Sequence, residues 1–494
     1  MLYTSKIIGK IRVLIFSVLL LLMLSPPMVQ AKDAQEKPSL AQRIESILKL
    51  EKANGGTWAV EVAALDTGET LCDMNSRRAM LAASNMKLFT TAAALHFLGP
   101  DFKMKTSFYF TAKPDAKGTL DGDIIIYGRG DPNISARFQD SPTSIFEDIA
   151  RELKARGLRK VTGDIIGDDS FFDAQYYGPW LPGEKHKWYA ARVSALSFND
   201  NCIDVYVRPG RAPGAKASVQ YLPKTTYARV VKKVSTSSRK GDAPWLSPLN
   251  GGRNVLVGGK IWTGKGVEEL WYPVESPPLY AATVFREVLE LEGIKVVGKA
   301  RAIGPDHKTA VPSGAEPAYE HVSLPLSEMI KVVNKRSQNL HAELLLKHIG
   351  LKTGHGPSFK GGLRAIRDFL KEVGLEEDSL RFMDGSGLSR DNRASAYSIV
   401  RLLKYMAESE HAECFSDSLA ISGVDKSLRG MNWIAPEGKI HAKTGWLKNT
   451  LALSGYVDGK TRRLAFSIIV NDYTADTARI RRARDRICAE IAKY

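Results

Sequence analysis

Ala82-Ala83-Ser84-Asn85-Met86-Lys87-Leu88-Phe89-Thr90 sets a serine and a lysine three residues apart at the head of an apolar, alanine-rich run. Leu88, Phe89, Ala92, Ala93, Ala94, Leu95 and Leu98 make that run a predicted buried helix, and residues i and i+3 of a helix share one face. The pattern is S-x-x-K. A serine hydroxyl is a weak nucleophile near neutral pH and needs a base within hydrogen-bond reach. A lysine serves only where burial or a neighbouring cation depresses its pKa. By itself the motif equally describes a capping serine followed by a surface lysine, so the rest of the chain must decide.

Working outward toward the N-terminus, Lys6, Lys10 and Arg12 precede an almost wholly apolar stretch from Val13 to Leu24, then Ser25-Pro26-Pro27 and Val29-Gln30-Ala31. This is the layout of an export signal cleaved near Ala31, with an uncleaved anchor as the alternative. The apolar run is shorter than the roughly 20 residues a bilayer span requires. The formal net charge is +16, of which the first 31 residues supply three positive charges and no acid. Such an excess suits an anionic envelope surface and leaves open a peripheral association with the membrane. Nucleic acid would suit the sign equally, but the export signal and the scattering of cations along the chain argue against it. Cys72, Cys202, Cys414 and Cys488 could form two disulfides in three pairings, and their spacing matches neither a zinc site nor C-x-x-C.

Trp58 to Leu65, the Asp66-Thr67-Gly68 turn and Thr70-Leu71-Cys72 predict a hairpin ahead of the Ser84 helix, itself preceded by a helix over 40–50. Between about Thr106 and Val311 short strand-like runs alternate with Gly, Pro and Asp turns, and helices are predicted only at 144–156 and 281–291. Helical texture returns at 326–350, 361–373 and 395–407. A strand meander (440–447, 452–457, 464–470) and a basic helix over 476–493, with Ile480, Ile487 and Ile491 as its packing stripe, end the chain.

Two further motifs lie in the C-terminal half. In Ser337-Gln338-Asn339 the serine and asparagine can face one cleft only if the backbone breaks between the flanking helical runs; otherwise Asn339 is an ordinary helix cap. Lys443-Thr444-Gly445 opens the meander with a point charge for an anion, a hydroxyl, and a residue that lets another backbone come close. S-x-x-K, S-x-N and K-T-G in that order are the signature of penicillin-binding proteins and class A β-lactamases.

The chain most resembles the class C low-molecular-mass penicillin-binding proteins, D-alanyl-D-alanine carboxypeptidases/endopeptidases. The matching pieces are Ala83 to Thr90, Gly128-Arg129-Gly130-Asp131-Pro132, Ser323-Leu324-Pro325-Leu326, Ser337 to Leu340 with Ala342-Glu343, Asp384-Gly385-Ser386-Gly387-Leu388-Ser389-Arg390, and Lys443-Thr444-Gly445. The resemblance implies an α/β fold: a transpeptidase/β-lactamase-like domain, an antiparallel sheet flanked by helices, with two inserted β-rich domains. The implied bounds are 32–105 and 316–494 for the penicillin-binding domain, 106–129 and 206–315 for the first insert, and 130–205 for the second. Ser84, Lys87, Ser337, Asn339 and Lys443 are the implied catalytic set. Thr444, Gly445, Trp446, Asp168, Arg390 and Lys448 are implied to bind substrate, Asp168 as the carboxylate facing a free amine on the stem peptide. Peptidoglycan stem peptides and β-lactams are the implied partners, in the periplasm, with no metal or cofactor.

Several positions depart from the family. Ala82 stands for proline, Gln338 for the aspartate of S-D-N, Lys426-Ser427 for Gly-Thr, and Trp446 and Lys448 for smaller or polar residues. None removes a catalytic group. Two other classes share part of the pattern, a serine β-lactamase and a non-catalytic wall-binding scaffold. The first gives no reason for so long an insertion, the second none for three intact motifs.

Overall fold

The computed structural model describes residues 38–494 apart from 54, 250–252, 377 and 432–438, so the predicted export segment lies outside the described residues. Among them no helix is long and apolar enough to cross a membrane.

The two ends of the chain meet in one six-stranded antiparallel sheet, ordered Ala420–Ile421, Ile440–Leu447, Thr450–Asp458, Arg463–Asn471, Thr57–Ala64, Thr70–Met74. The predicted hairpin forms, with Val60 opposite Met74, and the meander closes onto it by pairing Thr57 with Asn471 and Ala64 with Leu464. Alternation along the strands sends side chains to both faces. Val60, Val62, Leu453, Phe466 and Ile468 pack on one side with Leu40, Ile44 and Leu48 of the first helix and with Ile480, Ile487 and Ile491 of the last. Ala59, Ala63, Ala452, Ala465 and Ile469 face the other way, against the helices at Met86–Leu98, Leu326–Lys335, Asn339–Lys352, Phe359–Glu372 and Ala396–Glu408. Small residues on that face let the helices approach closely. The fold is the expected sheet flanked by helices.

The inserted region leaves and returns side by side, because Lys105–Phe110 pairs antiparallel with Tyr319–Val322. Those strands belong to a five-stranded sheet ordered Ala300–Ile303, Ile165–Asp168, Ile124–Gly128, Lys105–Phe110, Tyr319–Val322. Ile165–Asp168 pairs with strands on both sides, so this sheet crosses the boundary expected at 129/130. Helices Ser144–Ala155 and Pro277–Leu291 share its core through Phe146, Ile149, Phe285 and Leu289. Three three-stranded sheets complete the region: Val230–Ser237, Asn254–Trp262, Pro244–Leu249; Glu268–Pro273, Cys202–Arg208, Ser218–Leu222; and the short Lys295–Val296, Lys160–Val161, Thr119–Leu120. All four cysteines are free thiols, three of them buried, so neither expected disulfide is present. They sit as apolar filler in separate places, Cys72 and Cys488 in the outer core of the six-stranded sheet.

Candidate active site

Ser84 lies in a single 3-10 turn, Ala83–Asn85, that runs into the helix Met86–Leu98. Ten of that helix's thirteen residues are buried, as a run without a polar face requires. The turn is held tightly: Ala83 adopts φ +47°, and Gly387 at φ +80° lies against its carbonyl, where a Cβ would collide. Ser84 is half-buried, whereas Lys87, one turn on, is wholly enclosed. The Lys87 ammonium donates to Ser84 Oγ at 3.0 Å, to Asn339 Oδ1 at 2.6 Å and to the Ser386 carbonyl at 2.6 Å.

Burial pushes the Lys87 ammonium down to about 7, against the opposing pull of Glu343 and Asp384. Lysine is thereby placed where it exchanges a proton near neutral pH. Glu343, also fully buried, accepts the backbone N–H groups of Gly385 and Ser386 at 2.9 Å each, and burial and the Asp384 charge push its carboxyl up. Asp384 accepts from Gly387 N, Ser389 N, Asn392 Nδ2 and Trp180 Nε1 at 2.7–2.9 Å. The two carboxylates thus fix the 384–390 loop whose Ser386 carbonyl steers Lys87. Sequence matching marked these residues without giving them a role.

The S-x-N motif forms by the expected backbone break. Helix Leu326–Lys335 ends at Arg336, Ser337 turns to φ +57°, and a new helix starts at Asn339. A left-handed serine costs about 1–3 kcal/mol and persists only where its surroundings hold it. Lys443 Nζ donates to Ser337 Oγ at 2.9 Å, and buried Gln338 donates to Asp200 Oδ2 at 2.8 Å. Asp200, from the inserted region and itself at φ +54°, also accepts from Arg137 Nε on Oδ2 at 2.7 Å, and its Oδ1 accepts from Ser135 Oγ at 3.2 Å and lies 2.9 Å from His341 Nε2. These contacts hold its carboxyl well below the usual range despite burial. The departure from S-D-N now has a reason: an aspartate at 338 would set two carboxylates face to face, where glutamine supplies a donor.

Asn339 offers Oδ1 to Lys87 and gives one of its two N–H groups to the Tyr189 carbonyl at 2.7 Å. The segment 180–192 of the inserted region therefore reaches the catalytic groups, which no local motif announced.

Lys443 is also fully buried, donating to Ser337 Oγ and to the Thr444 carbonyl at 2.7 Å. Burial, then the charge of Lys87, pushes its pKa far down. On the open side of its strand, pairing with Ala420–Ile421 stops at Ala442, so the edge from Lys443 to Leu447 is unpaired and faces the Ser84 turn. Gly445 permits that approach, since a Cβ there would stand 2.8 Å from the Ala82 carbonyl and from Asn85 Oδ1. Asn85 Nδ2 ties the two together through the Lys443 carbonyl at 3.2 Å. Thr444 is half-buried beside it, and Trp446 is 59 % exposed.

The remaining expected residues scatter. Asp168 is not brought to the cleft surface: it is completely buried, with Ser170 N on Oδ1 at 3.0 Å and Thr309 Oγ1 and Ala310 N on Oδ2 at 2.7 Å each. An aspartate ending a strand is pinning the following turns. Lys448 projects from the exposed turn between two strands of the meander and makes no ion pair among the described residues, so it does not neutralise Asp168. Arg390 is half-buried, and burial and the Glu184 charge push the Tyr189 phenol up against the opposing pull of Arg390. Among the described residues no cluster of three His, Cys, Asp or Glu side chains could hold a metal.

Residues 40–492 match the D-Ala-D-Ala carboxypeptidase 3 (S13) family. The chain is 32 % identical to a D-alanyl-D-alanine carboxypeptidase of Actinomadura sp. (strain R39), over 95 % of this chain and 87 % of that one. It is 26 % identical to the D-alanyl-D-alanine carboxypeptidase DacB of Haemophilus influenzae, over 83 % and 84 %. In three dimensions it is similar to the crystal structure of penicillin binding protein 4 from H. influenzae, with a TM-score of 0.76 at 24 % identity over 91 % of this chain and 99 % of that one. A second structure of that protein, complexed with a β-lactam, gives 0.72 at 23 % identity over 92 % and 100 %.

Proposed function

The chain belongs to the D-Ala-D-Ala carboxypeptidase 3 (S13) family, and from that premise we propose that it cleaves peptidoglycan stem peptides by the following steps. It is a serine-type D-alanyl-D-alanine carboxypeptidase, and β-lactams acylate it. Ser84 attacks the carbonyl between the terminal D-alanines while neutral Lys87 takes the hydroxyl proton. The backbone N–H groups of Ser84 and Trp446 receive the developing oxyanion, each worth ~3 kcal/mol. Ser337, between Lys87 and Lys443, passes a proton to the leaving amine, and water then hydrolyses the acyl-enzyme with Lys87 as base. The peptide adds as a strand along the unpaired edge at Lys443–Leu447. Thr444 and Lys443 take the terminal carboxylate, whose charge favours the ammonium form that burial disfavours.

The observation that carries this reading is a pair of contact groups in one cleft, Lys87 with Ser84 and Asn339, and Lys443 with Ser337, tied together by Asn85 Nδ2 on the Lys443 carbonyl. Glu184, not the buried Asp168, is the carboxylate we assign to a free amine on the stem peptide, because it lies in the 180–192 segment that reaches Asn339 through the Tyr189 carbonyl. The basic balance and the apolar N-terminal run support export and a periplasmic site of action at an anionic surface. The inserted region, whose five-stranded sheet runs across the 129/130 division, supplies the cleft's second wall.

Digestion of purified peptidoglycan with identification of the fragments tests the reaction. Release of D-alanine, or of peptides cut after D-alanine, is expected. Intact sacculi together with fast turnover of a chromogenic cephalosporin would make the protein a β-lactamase instead.

A further inference from the structure

A cavity of about 580 Å³ opens beside the Ser337 loop, lined by Arg336 and Gln338 on either side of that serine. The helix Leu326–Lys335 and the Asp425-Lys426-Ser427 turn make one half, and Arg137, Trp188, Glu269 and Trp271 of the inserted region make the other. The volume is in the range of ligand sites and far exceeds what one alanine fills. Its walls are built. Trp188 and Trp271 lie with ring centroids 5.4 Å apart, and the Arg137 guanidinium, 5.3 Å from the Trp271 ring, is anchored to the same Asp200 that holds buried Gln338.

Five cations line the cavity against two carboxylates. Three are already paired, Arg137 with Asp200, Lys331 with Glu328 and Lys335 with Asp425. Arg336 and Lys426 are exposed and have no ion-pair partner among the described residues.

We propose that this cavity is a leaving-group subsite, holding the carboxylate-bearing peptide attached to the departing amine when the substrate is a cross-link rather than a free terminus. This rests on the proposed role of Ser337: the amine is protonated there, so whatever the amine carries extends past Ser337 into the space between Arg336, Lys426 and the tryptophans. A stem peptide brings free carboxylates for the two unpaired cations and aliphatic surface for the indoles. A single departing D-alanine is too small to reach them. The inserted region therefore contributes to substrate choice: it supplies the aromatic wall of the subsite.

The test compares a pentapeptide, which releases D-alanine, with a cross-linked muropeptide dimer, which releases a stem peptide. Wild type, Arg336→Ala/Lys426→Ala and Trp271→Ala are assayed on both, with benzylpenicillin acylation measured alongside. The double variant removes only exposed charges and leaves the fold in place. The expected result is a tenfold or greater rise in KM for the dimer with kcat within twofold, while KM for the pentapeptide moves less than threefold. Raising the salt should lessen the wild-type preference and leave the double variant unmoved. Equal changes on both substrates, or none on either, would overturn the subsite. Failure of benzylpenicillin to acylate wild type would instead overturn the catalytic assignment on which it rests.

Discussion

Lys87 and Lys443 are both wholly buried within one cleft, yet they are held in opposite ways. Beneath Lys87 stand two carboxylates, Glu343 and Asp384, which pull its pKa back up against burial and leave it near 7. Around Lys443 the described residues offer a hydroxyl and a carbonyl but no carboxylate partner, and burial and the Lys87 charge both push its pKa well below the ordinary lysine value. The contrast shows how one chemical group is set to two tasks. Lys87 is poised to exchange a proton at neutral pH, whereas Lys443 waits for an anion to make its charge worth keeping.

Removing either lysine breaks the comparison from opposite ends. Lys87→Ala leaves the serine but no base, and the acylation rate with benzylpenicillin, followed by stopped-flow fluorescence, should fall by about 10³-fold or more, since a positioned base supplies 10²–10⁴. Acylation at the wild-type rate would move the base elsewhere. Lys443→Ala should cost roughly 10–100-fold in kcat/KM for peptides ending in a free carboxylate, the size of a hydrogen bond to a charged group, and much less for their amides. Equal losses would make Lys443 a proton relay to Ser337 and not an anion site.

The two smaller tests probe what surrounds the lysines. Gln338→Asp should lower acylation by about tenfold by forcing a second carboxylate against Asp200, and adding Asp200→Asn should recover most of the loss. A double variant no better than the single one would mean that the Gln338–Asp200 contact does not position Ser337. Glu343→Gln removes a carboxyl whose ionised form raises the Lys87 pKa, a form that burial and Asp384 make scarce near neutral pH. Because only neutral lysine acts as base, wild-type acylation should rise with pH to a half-maximum near 7. The variant's rise should shift to lower pH, with a melting curve as control for the fold. A shift to higher pH would mean that Glu343 acts on Lys87 other than through its charge.

What could be read in the sequence follows the same division between near and far. Ser84 and Lys87 are one helical turn apart, the Ser337–Asn339 break is two residues long, and Gly445 sits in a strand with a reason for being glycine; each is a local pattern with a local cause. The meander and its packing helix were legible for that reason too. The role of Asp168 came from the resemblance, and nothing in its local sequence announces that both its oxygens are bonded inside the fold by Ser170, Thr309 and Ala310. The Asp200–Gln338 contact joins residues 138 apart, and no periodicity carries such information. The strands Val230–Ser237 and Asn254–Trp262 escaped as well, since lysines and glycines interrupt their alternation and their parallel pairing leaves no hairpin turn between them. Long-range pairing decides such elements, and sequence spacing does not.

The most direct test of the central claim is intact-protein mass spectrometry after incubation with benzylpenicillin, followed by peptide mapping, on wild type and Ser84→Ala. One penicilloyl adduct on the peptide containing Ser84, absent from a Ser84→Ala protein with an unchanged melting curve, is the expected result. An adduct on another residue, or full labelling of the Ser84→Ala variant, would contradict the account.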